Sequence, residues 1–335
     1  MSDSTASLRR KIGSAGDLQS VVRAMKAQAA ASVGQYEKSV TALADYARTV
    51  ELGLTACFRA EGSARLGPGR SLPAARREVR AVVFGSDQGL VGRFNDIVID
   101  FALAELARLP GKPQVWAVGD RVRARLADAG VELLGQFPVP VSVQAITPLV
   151  GRILVEFEAG GEPGDAPHEG RELHLFYNRP MSGSAYAPVG QRLLPLDHAW
   201  LAGLAARPWP TPVLPEVLGS GSSTLRALIR EYLFVSLFRA CAESLASENA
   251  SRLAAMDRAD RNIDELLKKL QGSFHRLRQG AIDEELFDVV AGFDALSQST
   301  GHRDSAAARF GSPAFGRRRR QRTDATTRGA RRPAR

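Results

Sequence analysis

The segment best suited to chemistry is GSDQGLVGRFN, residues 85–95, which follows an apolar run and precedes a helix-like stretch. Glycines at a strand-to-helix turn can cradle a phosphate, because backbone N–H groups at a helix start point toward the anion. The spacing of Gly85, Gly89 and Gly92, however, matches neither the GxGxxG pattern of dinucleotide sites nor the P-loop. The pattern therefore predicts a structural turn in which small residues allow close backbone approach.

Asp87 is the one carboxylate in this turn and the first candidate for acid–base chemistry. A catalytic carboxylate works beside a second titratable group or a nucleophile. No histidine, cysteine or second acid lies within residues 85–95. We therefore expect Asp87 to cap a helix or to form an ion pair, while a catalytic set assembled from distant parts of the chain stays open.

The sequence also shows no pattern that indicates a metal site or a redox-active cysteine pair. The five histidines are scattered without an HExxH or similar ligand spacing. Cys57 and Cys241 stand far apart, and neither belongs to a CxxC motif. We predict no metal site, no cofactor, no small-molecule substrate and no catalytic residue, so the chain is expected not to be an enzyme by itself.

The positive charge is concentrated at one end of the chain. The formal net charge is +9, and residues 301–335 alone contain eleven arginines against two aspartates. Residues 1–300 are therefore formally neutral, and any affinity for polyanions belongs mainly to the arginine-rich segment. Because this segment has few large apolar residues, its composition predicts a disordered Arg-rich tail over residues 300–335.

Long helices are predicted at both ends of the chain. From residue 7 to residue 57, apolar or small residues such as Leu18 recur at steps of three and four, the spacing of a coiled-coil seam. A proline-free stretch with the same spacing runs from about residue 222 to residue 297. We predict that the helices of residues 1–60 and 215–299 pair as a long antiparallel coiled coil.

The residues between these helices have a different pattern. Short runs rich in Val, Leu and Phe alternate with helix-like stretches, and strands are predicted near residues 79–87, 114–119, 131–137, 172–178 and 189–196. This alternation is typical of a small, mainly parallel sheet with helices packed on it. The predicted fold class is therefore α/β, with a Rossmann-like domain at residues 75–200 inserted into the coiled coil.

Four strings in the sequence share one resemblance. They are the opening LRRKIGSAGDLQSVVRAMKAQAAA with its Arg23-Ala24-Met25 step, the turn that keeps Asp87, Gly89, Leu90, Gly92 and Asn95, RLLPL at 192–196, and residues 243–292. Together they resemble the gamma-subunit family of the bacterial rotary (F-type) ATP synthases and ATPases. The resemblance extends over about residues 7–297, and its most specific part is the string 243–292.

The resemblance implies that the chain is a central rotor shaft, which couples ion flow through a membrane sector to nucleotide-site changes in a catalytic ring. The implied partners are the alpha and beta subunits of that ring, the epsilon subunit and the c-ring. The implied location is peripheral, at the cytoplasmic face of the bacterial inner membrane. No transmembrane helix is expected, because the apolar stretch Leu228–Leu245 carries four charged residues.

The same resemblance assigns roles to individual residues of the two long helices. Met25 falls where the N-terminal helix meets an acidic loop of beta. Arg278 and Gln279 fall at a polar contact with another beta loop, called the catch. Arg252, Asp283 and Glu285 fall at positions implicated in coupling.

Two alternatives remain at this stage. A coiled-coil nucleic-acid-binding protein acting through the Arg-rich tail would explain that tail, but not the α/β insert or residues 243–292, so nucleic acid is not an expected partner. A dinucleotide-dependent enzyme would explain the insert, but the glycine fingerprint is missing. The tail itself departs from the family pattern and suggests a divergent branch, the alternative sodium- or proton-pumping ATPases.

Overall fold

The fold is described from a computed structural model, which describes residues 4–61, 78–159, 171–181, 185–213, 215–216 and 221–307. The helices are α1 (Thr5–Glu61), α2 (Phe94–Leu106), α3 (Asp120–Asp128), α4 (Ile146–Ala159), α5 (His198–Ala206) and α6 (Gly221–Ala307). The strands are β1 (Glu78–Phe84), β2 (Gln114–Val118), β3 (Glu132–Phe137), β4 (Arg171–Pro180) and β5 (Tyr186–Leu194).

The chain divides into two compact units. One comprises Arg9–Leu270, and the other comprises the described residues before Arg9 and after Leu270. The sequence instead predicts four segments, at residues 1–60, 75–200, 215–299 and 300–335. These segments do not correspond to the two units, and the predicted division stays a prediction. Residues 308–335, which hold most of the predicted disordered tail, lie outside the described residues.

Helices α1 and α6 pair along their length within the first unit. On α1, buried residues fall on one heptad position at Ala15, Val22, Ala29, Tyr36, Val50 and Cys57, with the partly buried Leu43 between Tyr36 and Val50. This is the pattern of a coiled-coil seam. The side chains of Lys26 and Asp257 meet at 2.5 Å, and those of Tyr46 and Glu231 at 2.6 Å. Residue numbers rise on one helix as they fall on the other, so the pairing is antiparallel, as predicted.

On α1, one position of the predicted seam is wrong. Leu18 is 54% exposed, whereas the neighbouring Gln19 is 9% exposed and donates a hydrogen bond to Asp260 at 3.1 Å. The contact is polar there because α6 presents Asp260 and Asp264 opposite Gln19. Apolar periodicity alone cannot detect a seam position that is occupied by a hydrogen-bonded amide.

The inserted domain is built on a five-stranded sheet in the order β3-β2-β1-β4-β5. β1 pairs in parallel with both β2 and β4, β2 pairs in parallel with β3, and β5 pairs antiparallel with β4. The prediction of a mainly parallel Rossmann-like α/β domain inside a coiled coil is therefore confirmed. The antiparallel edge strand follows from the short connection between β4 and β5, because a parallel pair needs a crossover.

Alternate side chains of the sheet enter two separate cores. On one face, Ala81 and Val83 of β1 pack with α2 and α3. On the other face, Val82 and Phe84 pack with α4 and with the Leu233–Ala246 part of α6. The long helix is thus one of the layers that cover the sheet, and this explains why residues 240–248 are buried on every side.

Two features of the helices differ from the sequence expectation. The short α5 was not predicted, because HAWLAGLAA shows no clear helical or strand period. It begins where Asp197 accepts a hydrogen bond from the Ala199 N–H at 3.1 Å, and Leu201 and Leu204 pack against Val50 and Val235. Helix α6 continues to Ala307 rather than ending near residue 297, since no proline follows there and one glycine costs only ~1 kcal/mol.

Candidate functional site

The turn after β1 is shaped by close packing. A Cβ added at Gly85 would lie 1.9 Å from Cγ2 of Val122, and one added at Gly119 would lie 2.8 Å from the Ser86 carbonyl. The ends of β1 and β2 therefore approach too closely for larger residues. This packing occupies the space in which a phosphate cradle would need open backbone N–H groups.

Both carboxylate oxygens of Asp87 are used within this packing. Oδ1 accepts a hydrogen bond from the Asp120 N–H at 3.0 Å, and Oδ2 accepts one from the Val139 N–H at 3.0 Å. The first bond places a negative charge at the start of α3, where a helix favours an anion. Asp87 thus ties the turn after β1 to α3 and to the loop after β3.

A chain of buried hydrogen bonds joins the same turn to α6. The Ser251 hydroxyl donates to the Val91 carbonyl. The Ser247 hydroxyl donates to the Asn178 carbonyl at 3.0 Å, and the Asn178 side-chain amide donates to the Phe94 carbonyl at 2.9 Å. The α/β domain and the long helix are consequently fixed to one another through buried polar contacts, which are costly to break.

A cleft of about 190 Å³ lies beside this junction, between α1, α6 and the loops after β1 and β3. Met25, Asp87, Glu248 and Arg252 are among its lining residues. Arg252 Nη2 donates to Glu248 Oε1 at 2.6 Å. Among the described residues, Glu248 Oε2 has no hydrogen-bond partner, although Glu248 is only 5% exposed.

The surroundings of Glu248 shift the pKa of its carboxyl upward. Burial raises the pKa of this carboxyl, the paired Arg252 guanidinium opposes the rise, and the negative charge of Asp87 adds to it. A buried carboxylate with one unsatisfied oxygen is unfavourable unless it binds a proton. Glu248 is not among the residues predicted from the sequence, because a glutamate in a helical stretch looks like an ordinary solvent-facing residue.

We expect Glu248 to make stability pH-dependent. A folded-state pKa above the unfolded value of about 4.3 means that the folded chain binds this proton more tightly. The resulting stabilisation is complete below the unfolded pKa and is lost as the pH rises through the folded pKa. Urea unfolding between pH 4.5 and 8 should therefore show the wild type losing stability relative to Glu248→Gln, by up to about 1.4 kcal/mol per pH unit.

The exposed Glu265 on the same helix provides the matched control. Its variant Glu265→Gln should leave the pH dependence of unfolding as it is in the wild type. Parallel stability curves for the wild type and Glu248→Gln over this pH range would contradict the assignment.

The six residues to which the resemblance gives coupling roles fall into two groups. Met25 and Arg252 both line the cleft, and Met25 also packs against Val22 and Met256 between the paired helices. The other group lies on α6 in the second compact unit, where each residue is exposed: Arg278, Gln279, Asp283 and Glu285.

The same stretch of α6 carries an exposed apolar stripe. Its members follow one another at helical spacings of four, three and four residues and are each more than half exposed: Ile282, Leu286, Val289 and Phe293. Phe287 and Val290 extend it sideways. A contiguous apolar face of this kind is a candidate surface for contact with another protein.

The described residues contain neither a helix able to span a membrane nor a cluster able to hold a metal ion. None of the helices there contains an apolar stretch long enough to cross a membrane. Histidine, cysteine and acidic side chains in the same part of the chain form no cluster of three that could hold a metal ion.

Residues 4–296 match the family model described as ATP synthase, and curated gamma chains match over nearly their whole length. The chain belongs to the ATP synthase gamma-chain family. The gamma chain of Moorella thermoacetica is 32% identical over 303 residues, with 86% of this chain and 98% of the relative covered. The gamma chain of Methylorubrum extorquens strain PA1 is 30% identical over 303 residues, with 86% and 98% covered.

Solved structures of mitochondrial ATP synthases contain chains with the same fold. The rotor of the Euglena gracilis mitochondrial ATP synthase matches with a TM-score of 0.53 at 14% identity, covering 83% of this chain and 98% of that chain. The central stalk and c-ring structure of the Tetrahymena thermophila enzyme matches with a TM-score of 0.52 at 19% identity, covering 71% and 99%. The predicted gamma-subunit family is thus confirmed, and the nucleic-acid alternative gains no support from these matches.

Proposed function

We propose that this chain is the central rotor shaft of a rotary ATP synthase or ATPase and that it couples ion flow to nucleotide-site changes in a catalytic ring. The observation that carries the proposal is the long antiparallel pair of α1 and α6, in a chain whose relatives are gamma chains over most of its length. A shaft must transmit torque between its ends, and a paired helix resists bending better than a single one.

The contacts between the domain and the coiled coil suit this mechanical role. Ser247 and Ser251 anchor α6 to the sheet domain through buried hydrogen bonds, and Lys26 anchors α1 to Asp257 on α6. Rotation of the domain would therefore carry both helices with it. Buried polar networks of this type favour one rigid arrangement over several.

The partners in this proposal are the alpha and beta subunits around the coiled coil, with the epsilon subunit and the c-ring at the α/β domain. The pumped ion is a proton or sodium. The chain would be peripheral at the cytoplasmic face of the inner membrane, and nucleotide chemistry would belong to the ring. The packed turn at Gly85 and the two backbone contacts of Asp87 support a non-catalytic role for this segment.

Coupling requires that each ring subunit meets a different face of the rotor, because only differential contacts shift a conformational equilibrium. In this proposal, the six residues predicted to act in coupling and the exposed stripe would provide such contacts. Arg278, Gln279, Asp283 and Glu285 supply polar groups on an exposed helix, next to the apolar residues of the stripe. In this proposal Met25 and Arg252 act nearer to the α/β domain.

We expect Arg278→Ala to slow rotary turnover without dissociating the complex. A hydrogen bond to a charged group contributes about 1.5–3 kcal/mol, and losing such a contact in one rotor orientation should lower the rate about tenfold or more. ATP hydrolysis and rotation would be measured in the reconstituted complex. Arg276→Ala, an exposed arginine two residues earlier, is the matched control, and equal rates for the wild type and Arg278→Ala would count against the proposed contact.

A further inference from the structure

A second cavity, of about 520 Å³, lies between α1, α6, the β4–β5 edge of the sheet and α5. Its volume falls within the roughly 300–1,000 Å³ of small-molecule sites. Much of the wall is apolar or aromatic, with Leu43, Ala47, Val50, Trp200, Tyr232 and Val235 among its members. Trp200 and Tyr232 stand with their ring centroids 4.8 Å apart and form one side of it.

Two arginines at the same cavity share a single carboxylate. Arg179 Nε donates to Glu243 Oε2 at 2.9 Å, and Arg239 Nε donates to Glu243 Oε1 at 2.7 Å. Glu243 is 5% exposed, and both of its oxygens are engaged. Two cations facing one anion leave a surplus positive charge at the wall of the cavity.

This surplus is not neutralised by the other charges nearby. Glu51, the one acid that lines the cavity in the described residues, is paired with Arg207 at 2.6 Å. Among the described residues, Arg239 makes its polar contact to Glu243 through Nε, so its two terminal nitrogens remain available as donors. The Arg239 side chain is 57% exposed and can reach a ligand without unfolding any element.

Other polar groups are suited to orient the head of a ligand. The Tyr232 hydroxyl lies near the polar side chains of Ser236 and Gln191, which both line the cavity. An apolar pocket with a few polar groups at one side is the usual arrangement of a small-molecule site. The positive charge of Arg239 favours an anionic group, and the apolar walls favour an aliphatic chain.

We propose that this cavity binds a single-chain amphipathic anion, a carboxylate or phosphate carried on an aliphatic chain. The head would accept hydrogen bonds from the terminal guanidinium nitrogens of Arg239, which are strong when both partners are charged. Arg179, whose Nη2 donates to the Tyr177 hydroxyl, would add positive charge beside the head. The chain would lie against Leu43, Ala47 and Val235. This site is independent of the proposed rotor role, because it rests on the cavity and its charges alone.

The full-length chain would be titrated by calorimetry with dodecanoate and dodecyl phosphate, below the concentrations at which they form micelles. One binding site per chain is expected for both probes. Dodecanol and dodecyltrimethylammonium, which lack the negative charge, should bind at least tenfold more weakly. Decanoate, which is two methylenes shorter, should also bind roughly tenfold more weakly than dodecanoate, because less apolar surface is buried.

Variants separate this cavity from the arginine-rich end of the chain, which can also attract anions. Arg239→Gln should weaken dodecanoate binding about tenfold, and Ala47→Phe, which fills the cavity, should abolish it. Arg48→Gln removes an exposed arginine of α1 that does not line the cavity, and binding should be unchanged. Arg239→Gln changes an exposed residue, so this test stands even if Ala47→Phe does not fold.

Vesicles of anionic phospholipid distinguish a free amphiphile from a membrane lipid. If a membrane lipid is the source, vesicles should compete with dodecanoate in the wild type, and if a free amphiphile is the source they should not. Equal affinity for dodecanoate and dodecyltrimethylammonium would overturn the proposal. Unchanged dodecanoate binding in both Arg239→Gln and a folded Ala47→Phe would overturn it as well.

Discussion

Replacing Gly119 by alanine is expected to destabilise the α/β domain by about 3 kcal/mol or more. The residue has φ +111°, a conformation that residues with a side chain rarely adopt, and the strain costs about 1–3 kcal/mol. The added Cβ would also lie 2.8 Å from backbone atoms of Ser86, which cannot rotate away. The two costs act together, since neither the strand end nor the turn can move without breaking contacts on both faces of the sheet.

Urea unfolding of a matched glycine series would separate the two costs. Gly111 and Gly130 also have positive φ, but a Cβ there would meet no atom within 4 Å, so their alanine variants report the backbone strain alone. Gly85→Ala reports a close contact with Val122 without positive φ. Stability of Gly119→Ala no lower than that of Gly111→Ala would show that the contact with Ser86 contributes nothing.

If the chain is the proposed rotor shaft, Phe293→Asp is expected to weaken its binding to the proposed catalytic ring at least about 30-fold. Phe293 is 71% exposed and belongs to the apolar stripe of α6. Burying a charge in place of an aromatic anchor costs about 2 kcal/mol or more at an interface. The concentration of chain that gives half-maximal stimulation of ATP hydrolysis by the ring would measure the effect.

Two controls show whether this loss occurs at the interface. Phe293→Leu keeps an apolar side chain and should retain most of the engagement. The stability of the isolated Phe293→Asp chain should be close to that of the wild type, because an exposed position loses few contacts within the chain. If the ring responds equally to wild type and Phe293→Asp, the stripe is not part of the contact.

Part of the candidate site could be read from the sequence. The spacing of Gly85, Gly89 and Gly92 excluded a known phosphate loop, and the structure shows this turn closely packed against α3. Glu248 and Ser251 could not be recognised in the same way. On a helix surface their polar side chains look like ordinary solvent-facing residues, and only the sheet domain beside α6 buries them.

The sequence by itself determined the elements whose signals are local. A heptad from Ala15 to Cys57 determines the seam of α1, and alternating strands and helices determine a mainly parallel sheet, because both periods follow from backbone geometry. Tertiary structure alone decided what those elements enclose. The burial of Glu248, the sharing of Glu243 by two arginines and the formation of α5 each depend on residues distant in sequence. Such contacts form only where separate elements meet. The hydrophobic repeat of one helix or strand does not specify which other element packs against it.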